Sequence, residues 1–199
     1  MNAPNRNHLS PDALDTIFLH ARTHYSWRPE SVPVELLKQA YDLARMGPTS
    51  ANTQPARFVF LTTPEAKARL LPALAPTNVE KTMTAPVTVV VAWDTEFPEL
   101  LPRLFPHADM KPYFSKPEVI HETAFRNGSL EGAYFIIAAR ALGLDCGPMS
   151  GFDAGKLNAE FFPDGKWKVN FLCNLGYGDG AKLFPRSPRL DFEEACRVL

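Results

Sequence analysis

Lys168 to Ala181 reads KVNFLCNLGYGDGA, a strand-like run that closes on Gly176-Tyr177-Gly178-Asp179-Gly180-Ala181. By letter the last six residues fit G-x-G-x-x-A, the dinucleotide-binding fingerprint. That fingerprint needs a helix next, with its N-terminus on a pyrophosphate, and then a second strand with an acid about 20 residues on. Here Pro185 and Pro188 block such a helix, and the residues up to Leu199 leave no room to close a βαβ unit. The spacing therefore predicts a glycine turn after a strand, and a doubly wound nucleotide domain is set aside.

Outward from that turn, the pattern stays mixed. Val87 to Trp93 (VTVVVAW) is a β-branched run between Pro86 and Asp94, and Phe58 to Leu61 reads as a shorter strand. Ser10-Pro11 predicts a helix start, a hydroxyl N-cap followed by Pro, with Leu14, Ile17, Phe18 and Ala21 on a buried face. Pro33 opens a second helix, with Leu36, Leu37, Ala40, Leu43 and Ala44 inward, stopped by Gly47-Pro48. Thr63-Pro64 starts a third helix through Leu71. Glu118 to Leu142 is the longest helical stretch, with a stripe of Tyr134, Ile137, Ala138 and Ala141. A loop at Cys146 to Gly151 leads to a helix from Asp153 to Phe162, and Asp191-Phe192-Glu193-Glu194 caps a final short helix. From Asp94 to Pro117 prolines 98, 102, 106, 112 and 117 interrupt every periodic pattern; such a segment is either a substrate lid or a rigid surface excursion. Strict β-α-β alternation is absent, so the expectation is an α+β fold in a single domain, residues 1–199.

The arithmetic bounds the function. A chain of 199 residues is about one domain. With 21 Lys+Arg against 22 Asp+Glu the net charge is −1, which leaves no basic excess for a nucleic-acid partner. No run approaches 18 apolar residues, so no membrane span is expected. Met1 to Ser10 is polar, and no secretory signal is read there. Cys146, Cys173 and Cys196 are odd in number and far apart, which fits a reducing, cytoplasmic setting.

Two other motifs fail on chemistry. His121-Glu122-Thr123-Ala124-Phe125 begins like a helical zinc site, but Phe125 stands where the second imidazole is needed, so no metal is expected. Asn127-Gly128-Ser129 spells a glycosylation sequon with no signal peptide to make it active. What remains is a set of polar segments at element ends: Arg22 to Trp27, Pro48 to Gln54, Pro148 to Gly151, and the tail with Arg186 and Arg189. Helix and strand ends leave backbone donors free. Arg22 and Arg189 offer permanently charged forks suited to phosphate. Ser50, Asn52 and Gln54 alternate along what reads as an extended stretch. Together they point to a polar, phosphate-bearing ligand held without a Gly-rich loop.

Four long motifs, in order, carry a resemblance. Ala21 to Trp27, Met46 to Asn52, Glu122 to Ser129 and Leu142 to Asp153 make the chain resemble the nitroreductase family from Leu14 to Leu199. Within it the chain looks closest to the RutE and HadB group. The resemblance implies an antiparallel sheet wrapped by helices, an intertwined homodimer, and FMN at the subunit interface with NAD(P)H as co-substrate. By carry-over, Arg22, Thr23 and His24 meet the ribityl-phosphate arm, joined by Arg186 or Arg189. Pro48, Thr49, Ser50 and Asn52, with Gln54, line the flavin from the partner subunit. Pro148, Met149, Ser150 and Gly151 lie along its ring, with a backbone N–H toward N5. The chain departs from the wider family at Tyr25 or Ser26, where a second basic residue is common. Ser150 stands where a Glu is common, and Ala56 where a Trp is.

For that subgroup the implied reaction is reduction of malonic semialdehyde to 3-hydroxypropanoate in pyrimidine degradation. A general NAD(P)H-dependent nitro or quinone reductase and a flavin-binding module without turnover are the alternatives. A short aldehyde-acid needs a cation for its carboxylate, and Arg103, Lys111 and Arg126 are candidates. No proton donor can be named from the sequence.

Overall fold

Val87–Asp94 is buried along its whole length and is the strand around which the chain is built. In the computed structural model, which describes residues 8–199, four strands form one antiparallel sheet: β1 (Ala56–Leu61), β2 (Val87–Asp94), β3 (Asp145–Met149) and β4 (Trp167–Gly176). Their order across the sheet is β1-β2-β4-β3. The polar stretch read from Met1 lies, through Asn7, outside the described residues.

The continuous β-branched run of β2 follows from burial on both faces, which removes the polar alternation of a half-wet strand. Val87, Val89 and Val91 face one cluster, and Val90 and Ala92 face the other. On the first face lie α2 (Val34–Ala44), through Leu37, Ala40 and Ala44, and α6 (Pro117–Ala141), through Phe135, Ala138 and Ala139. On the second lie Leu70, Ala73 and Leu74 after α3 (Pro64–Ala68), together with Leu157 of α7 (Ala154–Phe161). The short α1 (Pro11–Leu14), α4 (Pro76–Thr84), α5 (Leu101–Leu104) and α8 (Phe192–Ala195) complete the set.

The helix caps stand where the sequence puts them. Ser10, Thr63 and Asp153 accept N–H bonds from Ala13, Ala66 and Lys156, and Asp191 and Glu194 form a capping box. The segment 94–117 is irregular and is anchored in the core by Phe97 and Leu101, both fully buried. No helix among the described residues is long and apolar enough to cross a membrane.

Four readings change. The stretch from Cys146 to Gly151 is mostly strand; β3 is an edge strand, a position in a sheet that tolerates Pro148, which has no N–H to donate. Helix α4 was not expected, because its Pro-started segment is too polar for apolar periodicity. The inward stripe of α6 is rotated away from Tyr134 and Ala141 to Ala124, Asn127, Gly128, Glu131, Gly132 and Phe135; polar and glycine positions hide it from a hydrophobic count. The first helix turns π-helical at Asp15–Leu19, and its expected inner face is open: Phe18 is 51% exposed.

Candidate functional site

The segments at residues 18–25 and 184–189 meet over a cavity of about 520 Å³ lined by Arg22, Thr23, Arg140, Arg186 and Arg189, together with Phe18 and Phe184. The guanidiniums spend their hydrogens on carbonyls. Arg22 donates to Phe184 O. Arg186 donates to Leu19 O at 2.6 Å and Ala21 O at 3.0 Å, and Arg140 to Ile17 O at 3.4 Å. Arg189 donates to Ser187 O at 2.9 Å and Pro188 O at 3.1 Å. None of the four has a carboxylate within ion-pair distance among the described residues. Arg140 Nε is buried without a hydrogen-bond partner among the described residues. Like charges around one cavity repel, and an anion with several acceptor oxygens relieves both the repulsion and the orphaned donor. Arg140 was missed in the sequence because it ends a helix outside any motif.

His24, expected beside this cavity, turns inward instead. It is 7% exposed, its amide donates to Cys146 O at 3.1 Å, and its Nε2 lies 3.2 Å from Asp145 Oδ1. Thr23 bridges to Cys146 and Trp27 to Gly178, so the expected polar turn is stitched along β3 and across the end of β4. Burial alone would raise the Asp145 carboxyl. The His24 bond, the Gly178 N–H and the charges of His24 and Arg140 together hold it below the usual value. The glycines of the false fingerprint are explained here. A Cβ on Gly178 would stand 1.9 Å from His24 Nδ1, and one on Gly176 2.6 Å from Pro86 Cδ.

Pro148, Met149, Ser150 and Gly151 end β3 beside a second cavity, lined by Ser150, Gly151, Phe152 and Ala75. Gly151 O accepts Asn78 Nδ2 at 2.8 Å and the Ala75 amide at 3.0 Å; Thr82 Oγ1 donates to Met149 Sδ at 3.6 Å. Helix α4 thus underlies this segment and also touches Tyr25 at the arginine cavity. Lys81, one turn past Asn78, holds its ammonium 5.4 Å from the ring of Tyr25, which lines that cavity. Burial lowers the Lys81 pKa. Asn78 and Lys81 escaped the sequence reading along with their helix.

The third segment corrects an expectation. Ser50, Asn52 and Gln54 do not alternate on an extended stretch; Ala51, Asn52 and Gln54 have φ of 47°, 50° and 40°. They are the non-glycine residues with positive φ among the described residues, and each costs on the order of 1–2 kcal/mol. Pro48 and Ser50 are exposed, while Thr49 Oγ1 accepts the Gln54 amide at 3.2 Å. Gln54 and Arg103 line a third cavity of about 520 Å³ with Arg57, Glu131 and Trp167. Of the three substrate-binding candidates, Lys111 is paired with Glu99 at 2.5 Å and Arg126 with Glu122, whereas Arg103 has no carboxylate partner among the described residues. One chain therefore carries the three segments on three separate cavities.

The chain is thus an α+β protein, a four-stranded antiparallel sheet with helices on both faces, and it carries an arginine-lined cavity. The signature of the Nitroreductase family matches residues 19–177, and the chain belongs to that family. It is 61% identical over 187 residues to a protein of Rhodopseudomonas palustris provisionally named NADH dehydrogenase/NAD(P)H nitroreductase, covering 94% of this chain and 95% of that one. It is 58% identical over 192 residues to one of the same provisional name from Ralstonia nicotianae, covering 96% and 98%. Its fold is similar, with a TM-score of 0.84 at 19% identity, to a nitroreductase-type protein of Exiguobacterium sibiricum solved in complex with FMN, covering 96% of this chain and 99% of that one.

Proposed function

We propose that the chain is an FMN-dependent NAD(P)H oxidoreductase that works as a homodimer with the flavin at the subunit interface. The observation that carries this is the cavity lined by four arginines, none of them in an ion pair among the described residues. Arg22, Arg140, Arg186 and Arg189, with Thr23, hold the phosphate. His24 positions the segment that bears Arg22. The backbone of Pro148, Met149, Ser150 and Gly151 borders the ring, with Asn78 and Lys81 beneath. Pro48, Thr49, Ser50, Asn52 and Gln54 meet it from the partner subunit, which accounts for Gln54 lining a cavity apart from the arginines of its own chain. Bound FMN supplies the atom that takes and gives hydride, so NAD(P)H and the acceptor use one site in turn.

The acceptor favoured by the RutE and HadB motifs is malonic semialdehyde, reduced to 3-hydroxypropanoate. Arg103 holds the substrate carboxylate, since Lys111 and Arg126 already have carboxylate partners. Residues 94–117 form the lid in this reading, hinged on buried Phe97 and Leu101. Stopped-flow mixing of the NAD(P)H-reduced protein with malonic semialdehyde tests the substrate, and re-oxidation within turnover time is expected. Re-oxidation only by nitro or quinone compounds would assign the general reductase instead, and a protein that takes up no FMN would remove the flavin reading altogether.

A further inference from the structure

Two buried polar side chains, one turn apart on α6, take the two ends of the left-handed segment. Asn127 Oδ1 accepts the amide of Ser50 at 2.8 Å, and Glu131 Oε2 accepts the amide of Ala56 at 2.8 Å. Residues four apart stand above one another on a single helix face, so one rigid surface grips both ends. Asn127 is itself locked, its Nδ2 donating to Thr123 O at 2.8 Å. Arg57 closes the far end from the other side. Its Nη1 donates to Gln54 O at 3.0 Å and Ala56 O at 2.8 Å, and its Nη2 to Asp94 at 2.5 Å. Asn52 Nδ2 ties the middle to Leu104 O at 2.8 Å.

Three non-glycine residues at positive φ within four positions persist only where the surroundings over-determine them. Glu131 is 5% exposed and Asn127 1%, in a helix face that otherwise packs Ala124, Phe135 and Ala138. A carboxylate there is unfavourable as packing. Burial pushes the Glu131 carboxyl above the usual range, while the Ala56 amide and the Arg57 charge pull it back. A small apolar residue would fill the place without that conflict, so what Glu131 contributes is its bond to Ala56.

We infer that Asn127 and Glu131 are positioning residues, a two-point clamp that holds Ser50 to Ala56 in its left-handed turn and so presents the outer edge at Thr49 to Asn52 to the flavin of a second copy. The presentation half rests on the function proposed above; the clamp itself does not.

Hydrogen exchange of the FMN-free protein and fluorescence titration with FMN test both halves. For Glu131→Leu, exchange of the Ala56 amide and of residues 50–54 is expected to rise about tenfold or more, and the Kd for FMN about tenfold. Glu131→Gln keeps an acceptor and is expected to return both to within about twofold of the parent. Asn127→Ala opens the other end and carries the same test if the Leu variant does not fold. Unchanged exchange at 50–56 in the opened variants, or a Gln variant no better than Leu, overturns the clamp. Faster exchange with an unmoved FMN Kd overturns presentation. A parent protein that binds no FMN removes the flavin reading, while the exchange rates still decide the clamp.

Discussion

The inner face of α6 and the two chain ends break the usual partition of residues in opposite directions. Helix α6 buries Asn127 and Glu131 and gives each a backbone partner within the chain. The ends leave Leu14, Phe18 and Leu19 open on one side and Phe184, Leu190 and Phe192 on the other, with Phe192 60% exposed. Buried polar groups with partners are finished structure, since each bond they make is already present. Under the proposed homodimer, the apolar side chains exposed at Leu14 to Leu19 and Phe184 to Phe192 are the surface a second copy would cover, and the arginine cavity lies between those segments.

The contrast breaks most visibly at the ends. Phe18→Asp with Phe192→Asp is expected to raise the dimer dissociation constant by roughly 100-fold or more, because each buried Phe contributes about 1.5–3 kcal/mol. Sedimentation velocity reads this, and a double variant as dimeric as the parent would show that the ends are merely exposed. Next in size, Arg140→Ala is expected to weaken FMN about 10- to 100-fold, the effect of losing a charge-assisted bond. Fluorescence quenching across a salt series checks it; an unaltered Kd would detach the cavity from the phosphate.

Two carboxyls sharpen the contrast through pH, with opposite signs. Asp145 titrates below its ordinary value when folded, so the native state binds fewer protons and its stabilisation is complete above about pH 4. That contribution is lost as pH falls through the lowered value. Asp145→Asn is expected to lower Tm by about 2–4 °C at pH 7 and to match the parent in strong acid. Glu131 titrates above its ordinary value, so the native state binds more protons and stability falls as pH rises through that window. Glu131→Gln is therefore expected to melt slightly higher than the parent at pH 7 and equally below about pH 4. Thermal melts across pH decide both, and a shift of the same sign for the two would refute the assignment of either partner set.

The smallest expected effect is Arg103→Ala, a rise of about threefold to tenfold in KM for a carboxylate-bearing acceptor with the KM for NAD(P)H unmoved. Lys111→Ala, already paired with Glu99, serves as the control. Equal movement of both constants would remove Arg103 from substrate binding.

Features that depend on near neighbours were legible in the amino-acid sequence. The caps at Ser10, Thr63, Asp153 and Asp191 and the strand at Val87–Trp93 rest on residues within one turn or one strand of each other, and the failure of the GYGDGA fingerprint on prolines a few positions on. The tail arginines were legible too, because a guanidinium is charged wherever it lies. Tertiary structure alone decided the rest. His24 is turned inward by Asp145, 121 positions away in sequence. The left-handed turn at Ala51 to Gln54 exists because α6 holds both its ends. Arg140 joins the cavity because the termini fold over it. In each case the deciding partner is distant along the chain, and a bond between distant residues leaves no periodicity in either segment.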